Sequence, residues 1–294
     1  MAGRLKGKVA VVTGAAPRGE GVGNGMATAI MFAREGAKVV LVNRSAERAE
    51  KLARQIKDEG GEAAVFAGDV AKAEAAEAMA DFAVKKYGRL DILHNNVGIG
   101  APGTPETVTL ADWHKVLEAN LTTTMLCTKY CLPRMKEGGG GSIIMVSSIA
   151  GALGLIGSPG AVAYATAKAG LHGFTMSVAA DYATQNIRAN CIVVGSVHTP
   201  MVAHHGRRGA RAAQEHGADE DRGHGLGHRP WRGLSRLRQI ALGDRPDAAD
   251  RRRRWWRSGS GRVSHASSDR PLRSGRMTCS SAGRGARCRA RWPR

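Results

Sequence analysis

Tyr164 and Lys168 stand four residues apart in YATAK, within a stretch whose pattern predicts a helix, so their side chains share one face. A phenol ordinarily titrates at about 10, and a neighbouring ammonium favours its anion, moving that value towards neutral pH. The pair could then pass a proton to or from a substrate oxygen. Two solvated surface residues would show the same spacing, so the pair acquires meaning only from its company. Ser148, directly after the strand-like GSIIMVS, and Asn120, on the helix before it, would complete a hydrogen-bonding set if the fold brings these elements together.

A second constellation lies near the start, where the apolar run Lys8 to Thr13 leads into TGAAPRGEGVGNG. Gly14, Gly21 and Gly23 precede a helix beginning near Asn24. Glycines here let the backbone pass close to a pyrophosphate, and a helix N-terminus offers it free N–H groups and a positive dipole. A plain loop can also be rich in glycine; the strand before and the helix after favour the phosphate site. The end of the second strand gives Asn43-Arg44 at the place where a dinucleotide fold reads the adenosine ribose. A carboxylate would suit a free 2′-hydroxyl, whereas an amide followed by arginine suits a 2′-phosphate, so NADP(H) is preferred and NAD(H) remains possible. The alternative for Arg44 is a solvated residue at a helix start.

The elements that must position these residues alternate β-branched runs with longer amphipathic stretches. Strands are predicted over 8–13, 37–43, 62–68, 90–95, 141–147 and 187–194, and helices over 23–35, 46–59, 72–87, 109–136 and 162–184. Such alternation predicts the α/β class, a doubly wound parallel sheet with helices on both faces.

The chain has 294 residues with 43% hydrophobic content, enough for a core, but its formal charge of +19 is unevenly placed. Up to residue 206 there are 21 Lys+Arg against 17 Asp+Glu, net +4; beyond it, 23 against 8, net +15. After Gly206 there is no Lys, Phe or Tyr, one Ile (Ile240) and one Val (Val263). A segment with so little to bury is expected to be poorly ordered. The expected division is therefore a dinucleotide-binding oxidoreductase domain over 1–206 and an Arg-rich, low-order tail over 207–294.

The five cysteines, Cys127, Cys131, Cys191, Cys279 and Cys288, show neither a C-x-x-C nor a His spacing, so neither a disulfide framework nor a metal site is expected. Cys127 and Cys131 read as small apolar helix residues. With no apolar signal core and no run long enough to span a bilayer, a cytoplasmic location without a membrane partner is expected.

In this order the motifs resemble the short-chain dehydrogenase/reductase family over about residues 5–203. The matching residues are Thr13, Gly14, Gly21 and Gly23; Asp69 and Val70 in GDV; Asn95 to Gly98 in NNVG; Asn120 in EANL; Ser148 in SSIAG; Tyr164 and Lys168; and Gly195, Val197 and Thr199 in VGSVHTP. The resemblance implies a Rossmann fold with seven parallel strands, and hydride transfer between NAD(P)(H) and an alcohol/carbonyl pair. It makes Tyr164 the acid/base and Lys168 the residue that lowers its pKa and holds the nicotinamide ribose. Ser148 would bond the substrate oxygen, and Asn120 would anchor a proton-relay water. Asp69 and Val70 would border the adenine, Asn96 and Gly98 would line the cofactor, and Val197 and Thr199 would hold the carboxamide. A small carbonyl or alcohol is the implied substrate. The implied homodimer pairs helices 109–136 and 162–184, while a tetramer is in doubt.

The family's glycine turn is lengthened here by three residues around Pro17 to Glu20, and its Pro-Gly after the sixth strand is Val194-Gly195. Beyond Gly206 the resemblance ends, so six strands are recognisable and the seventh is missing. DRRRRWWR, Asp250 to Arg257, could be a nucleic-acid grip, since arginine beside aromatic residues binds single strands. The genetic code offers the favoured alternative. Tryptophan has one codon, TGG, so Trp255-Trp256 read one base later gives Gly-Gly. Read likewise with CGN, CTN and TCN codons, His224 to His228 is compatible with T-G-W-D, Leu234 to Gln239 with F-L-A-S-D, and Leu242 to Arg253 with W-x-T-G-x-x-L-P-I-D-G-G. These are phrases of the family's missing end in their proper order. The tail is therefore expected to be a frameshift product beginning between about His205 and His224, which leaves open a catalytically impaired remnant that still binds dinucleotide.

Overall fold

The computed structural model describes residues 3–17, 19, 21–154, 160–195 and 197. Its first strand, β1 (Val9–Thr13), is buried throughout, as a strand covered on both faces must be. A turn leads to α1 (Asn24–Arg34), then β2 (Lys38–Asn43), α2 (Ala46–Asp58), β3 (Glu62–Ala67) and α3 (Ala73–Tyr87). The second half runs through β4 (Ile92–Asn95), α4 (Leu110–Leu117), a π-turn at Glu118–Thr122, α5 (Thr123–Glu137) and β5 (Gly141–Ser148). Short α6 (Ile149–Leu153), α7 (Val162–Asp181), a 3-10 turn at Ala183–Gln185 and β6 (Ile187–Val194) complete the described elements.

Local chemistry sets several boundaries. Ser45 caps α2 by accepting from the Arg48 N–H, and Thr109 caps α4 by accepting from that of Asp112 at 3.0 Å. α3 stops at Gly88, whose φ of +80° a residue with a side chain rarely adopts.

The six strands form one parallel sheet in the order β3-β2-β1-β4-β5-β6. The chain winds from β1 outward to β3, then returns across β1 to β4 and winds the other way. The order reverses between β1 and β4, and the crevice beyond their C-terminal ends is where such sheets bind ligands. Alternate residues point to opposite faces. Val9, Val11, Val40, Val42, Leu93 and Met145 pack with α3, α5 and α7, while Ala10, Val12, Val39, Leu41, Ile92 and Ile144 pack with α1 and α2. Each Val, Leu, Ile or Met side chain among them contributes about 1.5–3 kcal/mol on burial. Cys127 and Cys131 belong to the first core, as apolar helix residues do.

The expected doubly wound α/β sheet is thus present with its six strands, and β6 spans the range predicted. Two differences concern the site. The stretch 109–136, expected as one helix, is broken by the π-turn that carries Asn120, and α6 was not expected at all. Leu90 and Asp91, expected in a strand, precede β4. Asp91 instead accepts from the Val9 N–H at 2.9 Å and from Arg89 at 2.6 and 2.8 Å, pinning the sheet's lower edge. The boundary expected at residue 206 and the tail after it lie outside the described residues. Among the described residues no helix is long and apolar enough to cross a membrane.

Candidate functional site

The glycine turn closes on β4. Thr13 Oγ1 donates to the His94 carbonyl at 3.3 Å and accepts from the Asn96 N–H at 3.1 Å, so the ends of β1 and β4 are joined. Gly14, at φ +62°, presents its carbonyl to the Asn96 amide at 3.1 Å. Asn96 therefore braces the turn with its side chain, which leaves only its backbone to line a ligand. Gly21 sits at φ +101°, and Gly23 is the residue before α1, with no side-chain cap on the helix N–H groups. Gly25 was not singled out from the sequence, yet a Cβ there would stand 2.3 Å from the Gly14 carbonyl oxygen and 2.6 Å from Asn96 Nδ2. It lets α1 lie against the turn with its N-terminus towards the crevice, and the third glycine of a helix-opening series was the available signal.

At the ends of β2 and β3, the Asn43 amide donates to the Ser45 carbonyl at 3.2 Å. The exposed Arg44 guanidinium lies 3.8 Å from Asp69. Asp69 also accepts from the Ala71 N–H at 3.3 Å, which fixes the turn leaving β3. Val70, expected to border the adenine, is 4% exposed and packs its side chain into the core. Val197 is exposed, and Thr199 lies outside the described residues.

The catalytic candidates converge at the C-terminal ends of β4 and β5. Asn120 is fully buried in the π-turn, where its amide donates to the carbonyls of Ile99 and Val116, each at 2.8 Å. Its Oδ1 has no protein partner. A Cβ on Gly98 would lie 2.7 Å from that oxygen and 3.3 Å from Lys168 Nζ, so Gly98 keeps open the space between them. The π-turn turns the amide inward, as single π-turns within helices often do at sites. Ser148 ends β5, and its Oγ accepts from the Ala150 N–H at 3.2 Å, capping α6. Lys168 is 4% exposed; its ammonium donates to the Val146 carbonyl at 2.8 Å and lies 5.5 Å from the centre of the Tyr164 ring.

The electrostatics differ from expectation. Burial raises the Tyr164 phenol above its usual range, opposed by hydrogen bonding with Ser148. Burial also pulls the Lys168 ammonium down to about 8, with the Cys191 thiol opposing. The expected lowering of Tyr164 by Lys168 is therefore not met: desolvation penalises phenolate and ammonium alike. The structure brings Tyr164, Lys168, Ser148 and Asn120 together with Gly98, and the arrangement could hold a substrate oxygen beside a proton donor. Asn43, Arg44 and Asp69 form a separate group at the far end of the crevice.

Comparison with known proteins agrees with this fold. Residues 8–208 match the family model described as short chain dehydrogenase. An uncharacterized oxidoreductase of Thermotoga maritima is 42% identical over 195 residues, 66% of this chain and 74% of that protein. A cis-4-hydroxycyclohexanecarboxylate dehydrogenase of Sinomonas cyclohexanicum is 41% identical over 197 residues, 67% of this chain and 76% of that protein. A crystal structure from Burkholderia xenovorans, assigned to the short-chain dehydrogenase/reductase class, superposes with a TM-score of 0.72 at 38% identity, covering 82% of this chain and 91% of that one.

Proposed function

Because the chain belongs to the short-chain dehydrogenase/reductase family, whose members are oxidoreductases using NAD(H) or NADP(H), we propose that it interconverts a carbonyl and a secondary alcohol with Tyr164 as acid/base. The observation that carries this reading is the convergence of the Tyr164 phenol, its Ser148 partner and the buried Lys168 ammonium at the end of β5.

The residues fit a dinucleotide, since Gly25 lets α1 pack tightly against the Gly14 turn and α1 begins there with its N–H groups free of any side-chain cap. When bound, the nicotinamide supplies or takes the hydride. In the reducing direction Tyr164 gives its phenolic proton to the substrate oxygen, and the Ser148 hydroxyl donates to the same oxygen. The proton lost from Tyr164 is replaced by way of Lys168 and a water accepted by Asn120 Oδ1, across the gap that Gly98 keeps open. Arg44, exposed and held towards Asp69, supports a preference for the 2′-phosphate of NADP(H), with Asn43 beside it. Asp69, Asn96 and Gly98 would line the rest of the crevice, and the family motif gives Val197 and Thr199 the carboxamide. The exposed Leu110, Met125 and Met176 on α4, α5 and α7 support a homodimer formed through those helices.

The test offers NADPH and NADH with a panel of ketones that includes the 4-oxo counterpart of the cyclic hydroxy acid named for the Sinomonas relative. Turnover is expected, faster with NADPH. Tyr164→Phe is expected to lower it by about 10²–10⁴-fold while leaving dinucleotide binding nearly unchanged. Retained turnover in that variant would overturn the acid/base role. Dinucleotide binding without turnover in the parent chain would mark it as an impaired remnant.

A further inference from the structure

Ser147 and His172 have no part in the chemistry proposed above, yet they tie the strand that carries Ser148 to the helix that carries Tyr164 and Lys168. Ser147 Oγ lies 2.7 Å from the Lys168 carbonyl oxygen and 2.8 Å from Nε2 of His172. A carbonyl oxygen only accepts, so the single hydroxyl proton of Ser147 goes to Lys168, and His172 must donate from Nε2 to the serine oxygen. His172 is one helical turn beyond Lys168, and in a helix its own backbone N–H is directed at that same carbonyl. A small ring of hydrogen bonds is thereby closed across the junction of β5 and α7.

Consecutive residues of β5 then hold Lys168 at both ends: the Val146 carbonyl takes its ammonium, and the Ser147 hydroxyl takes its backbone carbonyl. Cys191 of β6 closes the cluster, its thiol pushed up by burial. Among the described residues, the titratable groups around Lys168 are Tyr164 and His172 on its own helix and the Cys191 thiol from β6.

We infer that Ser147 and His172 are positioning residues for the reaction, a hydroxyl and an imidazole that fix the height of Lys168 along β5 and hence its alignment with Tyr164. The inference rests on the acid/base roles proposed above. A misplacement of about 1 Å near a reacting centre can lower a rate by about 10²-fold, so a clamp on the lysine's own backbone is a strong lever.

Three variants test it. Ser147→Ala removes the bridge, His172→Leu removes its donor, and His172→Gln keeps an N–H donor in its place. The first two are expected to lower kcat by about 10-fold with KM little changed, and the third to restore it. Without any need for turnover, the ¹³Cε resonance of Lys168 in lysine-labelled protein reports its titration. Its midpoint is expected to rise from about 8 towards its ordinary value in Ser147→Ala and His172→Leu as water reaches the loosened lysine, and to return in His172→Gln. Variants that melt earlier but keep the parental Lys168 midpoint would show a merely structural role and overturn the inference. Tyr164→Phe separates the two failures: turnover retained there removes the acid/base assignment, whereas the Lys168 titration still decides the clamp.

Discussion

Burial opposes ionisation in both halves of the Tyr164–Lys168 pair, and the direction of each shift determines how the two reaction directions respond to pH. Reduction uses the protonated phenol. Since the Tyr164 pKa is raised, that form is fully populated through neutrality and is lost only as pH climbs beyond the raised value. Oxidation of the alcohol needs a base, and the phenolate population grows with pH. Carbonyl reduction is therefore expected to hold level from mildly acid to neutral pH, while alcohol oxidation increases steadily on the alkaline side. Initial rates in both directions across a pH series measure this, and an oxidation rate that peaks in mild acid would contradict it. The same residues show what spacing can and cannot convey. Tyr164, Lys168, Ser148 and Asn120 were all legible as types in a pattern. The sign of the tyrosine shift was not, because desolvation depends on what the rest of the chain packs around a group, and no local spacing records that.

Strands and helices carried a stronger trace of themselves in the sequence, together with one hidden liability. β4 lies at the centre of the sheet and places His94, 1% exposed, edge-on to Phe32 with ring centres 6.1 Å apart. Neither ring nitrogen has a partner, and desolvation lowers the imidazole pKa from 6.5 to about 4. The neutral form is therefore the one that folds, and the unfolded chain binds the extra proton. Stability from this group is fully present above about 6.5 and is lost as pH falls towards about 4, a change of about 3 kcal/mol. Asp91, whose carboxyl is held below its usual range, loses its contribution only at still lower pH. Denaturant unfolding between these pH values is expected to show a decline that His94→Leu largely removes; an equal decline in the variant would assign it elsewhere. The alternation of β-branched runs and amphipathic stretches displayed every strand of the sheet. It could not display the π-turn at Glu118–Thr122 or α6, because five residues are too few to establish a period. Pro133 lies inside α5 for a related reason: helix packing against α3 and the sheet outweighs a residue that would otherwise mark an end.

At the scale of the whole molecule the sequence changes character near residue 206, from a domain of mixed charge to an arginine-rich tail. Among the described residues β6 is an outer strand of the sheet, and Val193 on it is 45% exposed. An outer strand with apolar side chains in water invites pairing with other chains. We propose that the chain is read out of frame from a point between about His205 and His224, because the residues after 206 carry a charge of +15 and, from His224 on, their shifted codons spell phrases of the family's missing end. Three outcomes follow together. Resequencing the coding DNA across codons 203–225 is expected to reveal a single inserted or deleted base. Deleting residues 207–294 is expected to leave the thermal unfolding midpoint within about 2 °C of the full chain, since a ΔΔG of 1 kcal/mol shifts a domain of this size by about that much. Restoring the frame is expected to raise the midpoint and to suppress concentration-dependent aggregation, as a covered β6 should. Heparin affinity separates charge from fold: the full chain should bind through its arginines, and both the deleted and the frame-restored proteins should not. A deletion that unfolds the domain, or a clone whose sequence is intact through those codons, would instead make the basic segment a genuine part of the protein.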